Sequence, residues 1–216
     1  MSTAGYNTVI KRSGTSTSFT GVSMSSTTVN NQFQIDDATK EVWDRSSVPT
    51  FYEDGTSIPE SDIENINYLF GKVTFSTEKT GSITVDGYYY PTQVISCGRE
   101  YSLDQEVNLE DSSNYEEAQN NNGYKTYTST LWDVSASISR LIGDMTESDV
   151  LYNLWDNGDT IVAEIQPGGD GNPIFRAYMV MESDNMSGDI ESLEEQEISL
   201  VLNDDGNGAG FGWSDL

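Results

Sequence analysis

Within Val134 to Ile142 (VSASISRLI), the residues from Val134 to Ser139 change character at every step: Val134, Ala136 and Ile138 share one parity, and Ser135, Ser137 and Ser139 share the other. A period of two smears an apolar stripe around a helix but gathers it on one face of a strand, here with a serine face behind it. The pattern returns in Thr160 to Gln166 (TIVAEIQ) through Ile161, Ala163 and Ile165, and in Glu197 to Asn203 (EISLVLN) through Ile198, Leu200 and Leu202. Between TIVAEIQ and Ile174 to Glu182 (IFRAYMVME), the run Pro167, Gly168, Gly169, Asp170, Gly171 and Asn172 supplies turn residues, so a hairpin is expected there. One helix interrupts the strands. Glu147 to Asp156 places Val150, Leu151, Leu154 and Trp155 on one face, with Thr146 as N-cap, Asp149 as its capping partner and Asn157-Gly158 as the stop. That face is expected to lie over a sheet.

The first half also reads as β. Lys72 to Ser76 (KVTFS) and Ser82 to Asp86 (SITVD) flank a turn at Thr77 to Gly81, and Asp86-Gly87 signals another turn before Tyr88, Tyr89, Tyr90 and Pro91. Asn7 to Arg12 and Asn31 to Ile35 read as strands on either side of Ser13 to Asn30, whose Ser/Thr-rich composition predicts an exposed loop. Ser112 to Gly123 (SSNYEEAQNNNG) is a polar insertion between Ser102 to Leu109 and Tyr124 to Leu131, expected as a long hairpin or loop projecting from the sheet. Asp204 to Leu216 (DDGNGAGFGWSDL) holds too many glycines for a regular element and reads as a flexible arm. The division expected is 1–95, an N-terminal β segment packed on 96–203, a β core with the helix, and 204–216, a Gly-rich tail, together one compact structural unit.

Composition narrows the chemistry. The 216 residues include no His, one Cys, and 36 acidic against 10 basic side chains, for a formal charge of −26. Without imidazole, neither a Ser or Cys triad nor a histidine zinc site can form, and only carboxylate chemistry stays open. Cys97 has no partner for an internal disulfide. No basic-then-apolar leader opens the chain, and no apolar run approaches the roughly 18 residues a spanning helix needs, so neither secretion by signal peptide nor membrane insertion is expected. The acidic excess opposes any grip on DNA phosphates, but it suits a surface past which a duplex slides without sticking.

The remaining motifs are weak. Asp204, Asp205, Gly206, Asn207 and Gly208 are spaced like the start of a calcium loop but lack the closing bidentate Glu. Glu116 and Glu117, or Glu194, Glu195 and Glu197, read as solvated surface rather than a glycosidase pair. Tyr88, Tyr89, Tyr90, Tyr124 and Tyr127 could stack sugars, which keeps a glycan-binding β-sandwich as an alternative. No cofactor, metal site or catalytic residue is expected.

Tyr127 to Asn203 resembles the major tail (tail-tube) proteins of long, non-contractile-tailed, siphovirus-like phages. The resemblance is carried by the serine-alternating strand with LYNLWDNGD (Leu151 to Asp159), the hairpin across Gly168 to Asn172, and SGDIESLEEQEISLVL (Ser187 to Leu202). AGYNTVIKRSG (Ala4 to Gly14) and YLFGKVTFSTEKTGSITVDGYYY (Tyr68 to Tyr90) are similar to an opening segment in some of them. The resemblance implies a β-sandwich or barrel-like tail-tube fold with a flanking helix, and hexameric rings stacking into a tube that carries DNA and the tape-measure protein. Tail terminator and tip proteins are the implied end partners. The implied location is the virion, after assembly in the host cytoplasm. Ser112, Tyr115, Glu116, Glu117 and Asn121, with Phe211 and Trp213 near the C-terminus, are the interface residues this analogy selects, alongside the Ser13 to Asn30 loop. A tube subunit of a contractile tail or secretion apparatus is the related alternative.

Overall fold

The computed structural model describes residues 8–95, 98–112, 125, 127–142, 145–169, 171–188, 194–203 and 209–214. The chain is mainly β, with antiparallel strands of the sandwich or barrel-like class and one α-helix among the described residues. It forms two compact units, one of Met1–Ser96, Asp159–Met179 and Asn203–Leu216, the other of Cys97–Gly158 and Val180–Leu202.

The first unit holds β1 (Val9–Ser13), β2 (Thr17–Ser26), β3 (Gln32–Ile35), β4 (Thr50–Glu53), β5 (Thr56–Ser57), β6 (Ile63–Asn67), β7 (Lys72–Phe75), β8 (Ile83–Tyr89) and β9 (Thr92–Val94). Seven of these form one sheet, in the order β5-β4-β8-β2-β3-β7-β6. The stretch expected as an exposed Ser/Thr-rich loop is therefore a strand: β2 pairs with both β3 and β8. Its apolar residues Phe19, Val22 and Met24 escape a simple alternation because a bulge falls between Phe19 and Val22, with Gly21 at φ +64°. The Gly21 amide donates to Asp86 Oδ1 at 2.6 Å.

That bond also explains why Asp86-Gly87 does not turn. β8 runs straight through it, and a Cβ on Gly87 would meet the Phe19 ring at 3.4 Å. Asp54-Gly55 is the dipeptide that turns, with φ of +50° and +81°, linking β4 to β5 as a tight hairpin. Nor are β7 and β8 neighbours, although a turn separates them in sequence: β7 lies between β3 and β6, and β8 between β4 and β2.

The sheet wraps an aromatic core in which Trp43, Phe51 and Phe75 are wholly buried, Phe51 meeting Phe75 edge-on at 5.8 Å and Trp43 at 5.9 Å. Each such ring contributes about 1.5–3 kcal/mol by burial. Gly71 closes this core at φ +57°, where a Cβ would lie 2.7 Å from Ile35 Cγ2 and 3.0 Å from the Glu41 carbonyl oxygen. Gly71→Ala is expected to destabilise the protein by about 2–4 kcal/mol, from left-handed strain together with overpacking, read as a lowered urea midpoint.

The first unit also contains β12 (Ile161–Gln166), the opening residues of β13 (Phe175–Ser187) and β15 (Phe211–Trp213), with β1 pairing β12 and β9. The expected hairpin across Gly168 to Asn172 is present between β12 and β13, where the Asn172 side chain donates to the Gly168 and Gly169 carbonyls at 3.1 Å each. Every residue of β12 is buried, so this strand is not the half-exposed one that alternation predicts. The second face is covered as well, Val162 packing with Val42, Leu69, Phe70 and Tyr178, and Glu164 being held by ion pairs. Glu164, 1% exposed, accepts from Arg176 Nε at 2.8 Å and from Lys11 at 2.6 Å, while Arg176 Nη1 donates to Glu41 at 3.0 Å and to the Leu69 carbonyl at 2.8 Å. Burial alone would raise the Glu164 carboxyl, but Arg176 and Lys11 outweigh it and hold it below its ordinary value.

The second unit is built from β10 (Gly98–Asp111), β11 (Tyr127–Leu141), α1 (Met145–Asn157), the remainder of β13 and β14 (Glu195–Leu202). Its strands are ordered β10-β11-β14-β13. The helix opens at Met145, so Thr146 falls inside its first turn rather than before it. Leu151 is fully buried and Val150 and Leu154 half-buried, as the helical face predicts, but Trp155 is exposed.

Candidate assembly surface

The register of the second unit sorts its side chains onto two faces. Ile138 lies opposite Tyr101 and Ile198, and Ala136 opposite Leu103 and Leu200, which with Val134 makes an apolar face. Val134, Ala136, Ile138, Ile198 and Leu200 are buried, and α1 reaches this face through Ser148 Oγ, which donates to Gln196 Oε1 at 3.3 Å. The opposite face pairs Ser137 with Ser102 and Ser199, Ser135 with Asp104 and Val201, Ser139 with Glu100 and Glu197, and Glu106 with Asp133. Small hydroxyls alternate there with carboxylates. Ser102 and Ser137 share a hydrogen bond of 2.9 Å, and Arg99 pairs with Glu195 at the margin. Glu106 opposite Asp133 sets like charges directly across two strands, which destabilises a pair by a few tenths to about 1 kcal/mol. The carboxylates of such a face repel phosphate, and its serines carry no positive charge to hold it.

β10 and β11 run on past the buried part of the sheet as a two-stranded ribbon, and the insertion expected between them, Ser112 to Gly123, lies outside the described residues apart from Ser112. Most of its side chains are exposed. Val107 lies opposite Trp132, then the register steps so that Asn108 faces Leu131 but Leu109 faces Ser129, leaving Thr130 as the extra residue of a bulge. The step changes the parity of β11. It brings Tyr127, opposite Asp111, onto the side already carrying Val107, Trp132 and Leu109. The ribbon thus continues the apolar face outward with its large side chains exposed: Leu109 is 58%, Tyr127 53% and Trp132 60% exposed. Leu131, 67% exposed, sits on the acidic side with Asn108 and Glu110. A bare two-stranded ribbon is marginal in water, and exposed aromatic clusters mark contact sites.

Of the residues the analogy selects, Ser112 directly follows β10 and is exposed, while Tyr115, Glu116, Glu117 and Asn121 lie outside the described residues. Phe211 and Trp213 belong to β15, which pairs with β13 and corrects the expectation of an irregular arm for these residues. Their rings lie 6.3 and 5.4 Å from Phe175, and both side chains are half-buried. The missed residues are those of the ribbon's apolar face. Their signal was present, because Trp132 extends the parity of Val134, Ala136 and Ile138 by one more step.

A polar groove of about 700 Å³ in the first unit is lined by Ser25 to Val29, Gln32, Gln34, Ile35, Asp36, Asn67, Lys72 and Ser214, with no aromatic ring for a sugar to stack on. The candidate calcium loop at Asp204 to Gly208 is outside the described residues, among which no group of three His, Cys, Asp or Glu could hold a metal ion. No described helix is long and apolar enough to cross a membrane.

No family model and no curated protein matches the chain. Among solved structures it is similar to a chain in the tail of an empty gene transfer agent particle with C6 symmetry, at 13% identity and a TM-score of 0.46, over 57% of this chain and 86% of that one. It is likewise similar to a chain in the virion of the native gene transfer agent particle, at 13% identity and a TM-score of 0.46, over 56% of this chain and 88% of the other.

Proposed function

We propose that this chain is a structural, non-enzymatic subunit of a siphovirus-like tail tube, its copies forming hexameric rings that stack into a conduit for DNA. The observation that carries the reading is the two-faced sheet of the second unit, whose apolar side runs out along an exposed ribbon while its other side is serine and carboxylate. The ribbon supplies a sticky surface for a neighbouring copy, and the serine-acid face supplies the wall of a channel that DNA traverses without being held. The ring size comes from the family resemblance in sequence. Self-closure also removes the exposed edge of β10, which would otherwise template uncontrolled pairing.

Six copies at −26 each carry a formal −156, so ring stacking needs counterions. Negative-stain microscopy of concentrated protein is expected to show rings or hollow tubes, more abundant as salt or divalent cations are added. Monomers persisting under every salt condition would count against the tube itself. Tubes that form equally well at all ionic strengths would remove only its electrostatic part.

A further inference from the structure

Arg140 is wholly buried, and none of its guanidinium nitrogens has a hydrogen-bond partner. It lies on the covered face of the second unit, opposite Gln196 in the β11 to β14 register. The polar row beside it is half satisfied. Gln196 donates to Asp184 Oδ1 at 2.7 Å and accepts from Ser148 of α1, yet Asp184 Oδ2 is itself buried without a partner. A guanidinium stays ionised at any pH a fold survives, so it cannot escape burial by losing its proton. Left without a counter-charge it is among the least favourable groups an interior can hold.

Every other Lys and Arg of the chain is engaged. Lys11, Lys40, Lys79, Lys125, Arg99 and Arg176 are in ion pairs. Arg12, Arg45 and Lys72 donate to the carbonyls of Ser13, Asn203 and Ser214. Among the described residues, Arg140 is the cation whose side chain has no hydrogen-bond partner, and in a chain with 36 acidic residues it is the complement that an acid-rich copy of itself requires.

The roof over this row is thin. Among the described side chains of α1, only Ser148 and Leu151 are fully buried, and Tyr152 and Trp155 are exposed. Its last turn has no basic residue to complement the helix dipole. Gly158, at φ +67° and in open space, gives the chain a joint where the helix ends.

The geometry points to a carboxylate-binding site at Arg140, roofed by α1 and filled by an Asp or Glu side chain of a second copy of this chain. On association the helix swings aside, and the planar guanidinium takes the incoming carboxylate through paired N–H donors. Only the naming of a second copy as ligand rests on the self-assembly reading; the opening of the roof does not.

The test is hydrogen exchange on the unassembled wild-type protein, with assembly measured for wild type, Arg140→Met and Arg140→Lys. The α1 amides are expected to exchange at least about 100-fold faster than those of the central strands β11 and β14. Arg140→Met removes the uncompensated charge at similar volume. It should slow α1 exchange and raise the concentration for half-assembly by at least about 10-fold, with Arg140→Lys in between. Helix amides protected as strongly as β11 would overturn the roof, and Arg140→Met assembling at the wild-type concentration would overturn the site. Wild-type protein that never associates removes the second copy as ligand together with the proposed function, while the exchange result still decides whether the roof opens.

Discussion

Trp132→Asp is expected to leave the subunit folded and to abolish its assembly. The residue is 60% exposed on the ribbon, one alternation beyond the buried Val134, so the monomer loses little when it changes. Substitutions at such positions fall within about 0.5 kcal/mol. In an assembled contact, by contrast, a Trp at the centre of an apolar strip with Val107, Leu109 and Tyr127 has the character of a hot spot. Truncating one costs about 2–4 kcal/mol, and each 1.4 kcal/mol is a factor of ten in affinity. Placing a carboxylate there adds a buried, unpaired charge in a chain already at −26. Sedimentation velocity should then show only monomer at concentrations where wild type forms rings, with an unchanged thermal melt. Normal rings from the variant would mean that the ribbon face is not the contact.

Arg176→Met should produce the largest loss of stability, about 3–5 kcal/mol, because it strands Glu164 in the interior of the first unit with only the partly exposed Lys11 for company. Replacing both partners by apolar residues, Arg176→Met with Glu164→Leu, should recover most of the loss, since a filled core needs no ion pair. The pH dependence separates a charge effect from a packing effect. Glu164 in the folded wild type titrates below its ordinary value of 4.5. The stability it contributes is therefore complete above that value and is lost as pH falls through the lower, folded one. In Arg176→Met, burial acts on Glu164 with less opposition and its protonation is no longer penalised in the same way. The gap between variant and wild type should accordingly narrow as acid is added, in chemical denaturation measured from pH 7 downward. A gap that stays constant would assign the effect to lost packing around the Arg176 stem.

These two positions also show how much of the molecule could be read from its residues. Val134, Ala136 and Ile138 announced a strand and its buried face directly, because alternation of apolar and small polar side chains has one structural meaning. The helix, and the hairpin across Gly168 to Asn172, were legible for similarly local reasons. β2 was not: serines and threonines disguised it, and the bulge at Gly21 shifted Phe19 out of step with Val22 and Met24. Glycine misled at the other end too, where Phe211 and Trp213 find a strand and Phe175 despite their flexible-looking neighbours. Asp86-Gly87 carried a turn signal that a distant amide and a distant ring overrode. The Glu164–Arg176 pair joins strands through long-range packing that no local pattern encodes. The ribbon's apolar face was legible in Trp132, but its extent depends on pairing across two strands and on the bulge between them.

That bulge divides the ribbon into two segments whose facing can be set separately. From Val134 inward, parity is dictated by the need to bury Ala136 and Ile138. Beyond Thr130 it is free of that demand, because the extra residue resets it. Losing the bulge while keeping every residue, so that Thr130 faces Leu109, would turn the outer segment over and put Tyr127 among the carboxylates, leaving the folded base of the sheet untouched; deleting Thr130 would instead straighten the ladder and keep Tyr127 opposite Asp111. A slip in pairing at this single step can therefore change which side chains the outer ribbon exposes on each face without endangering the fold that presents it.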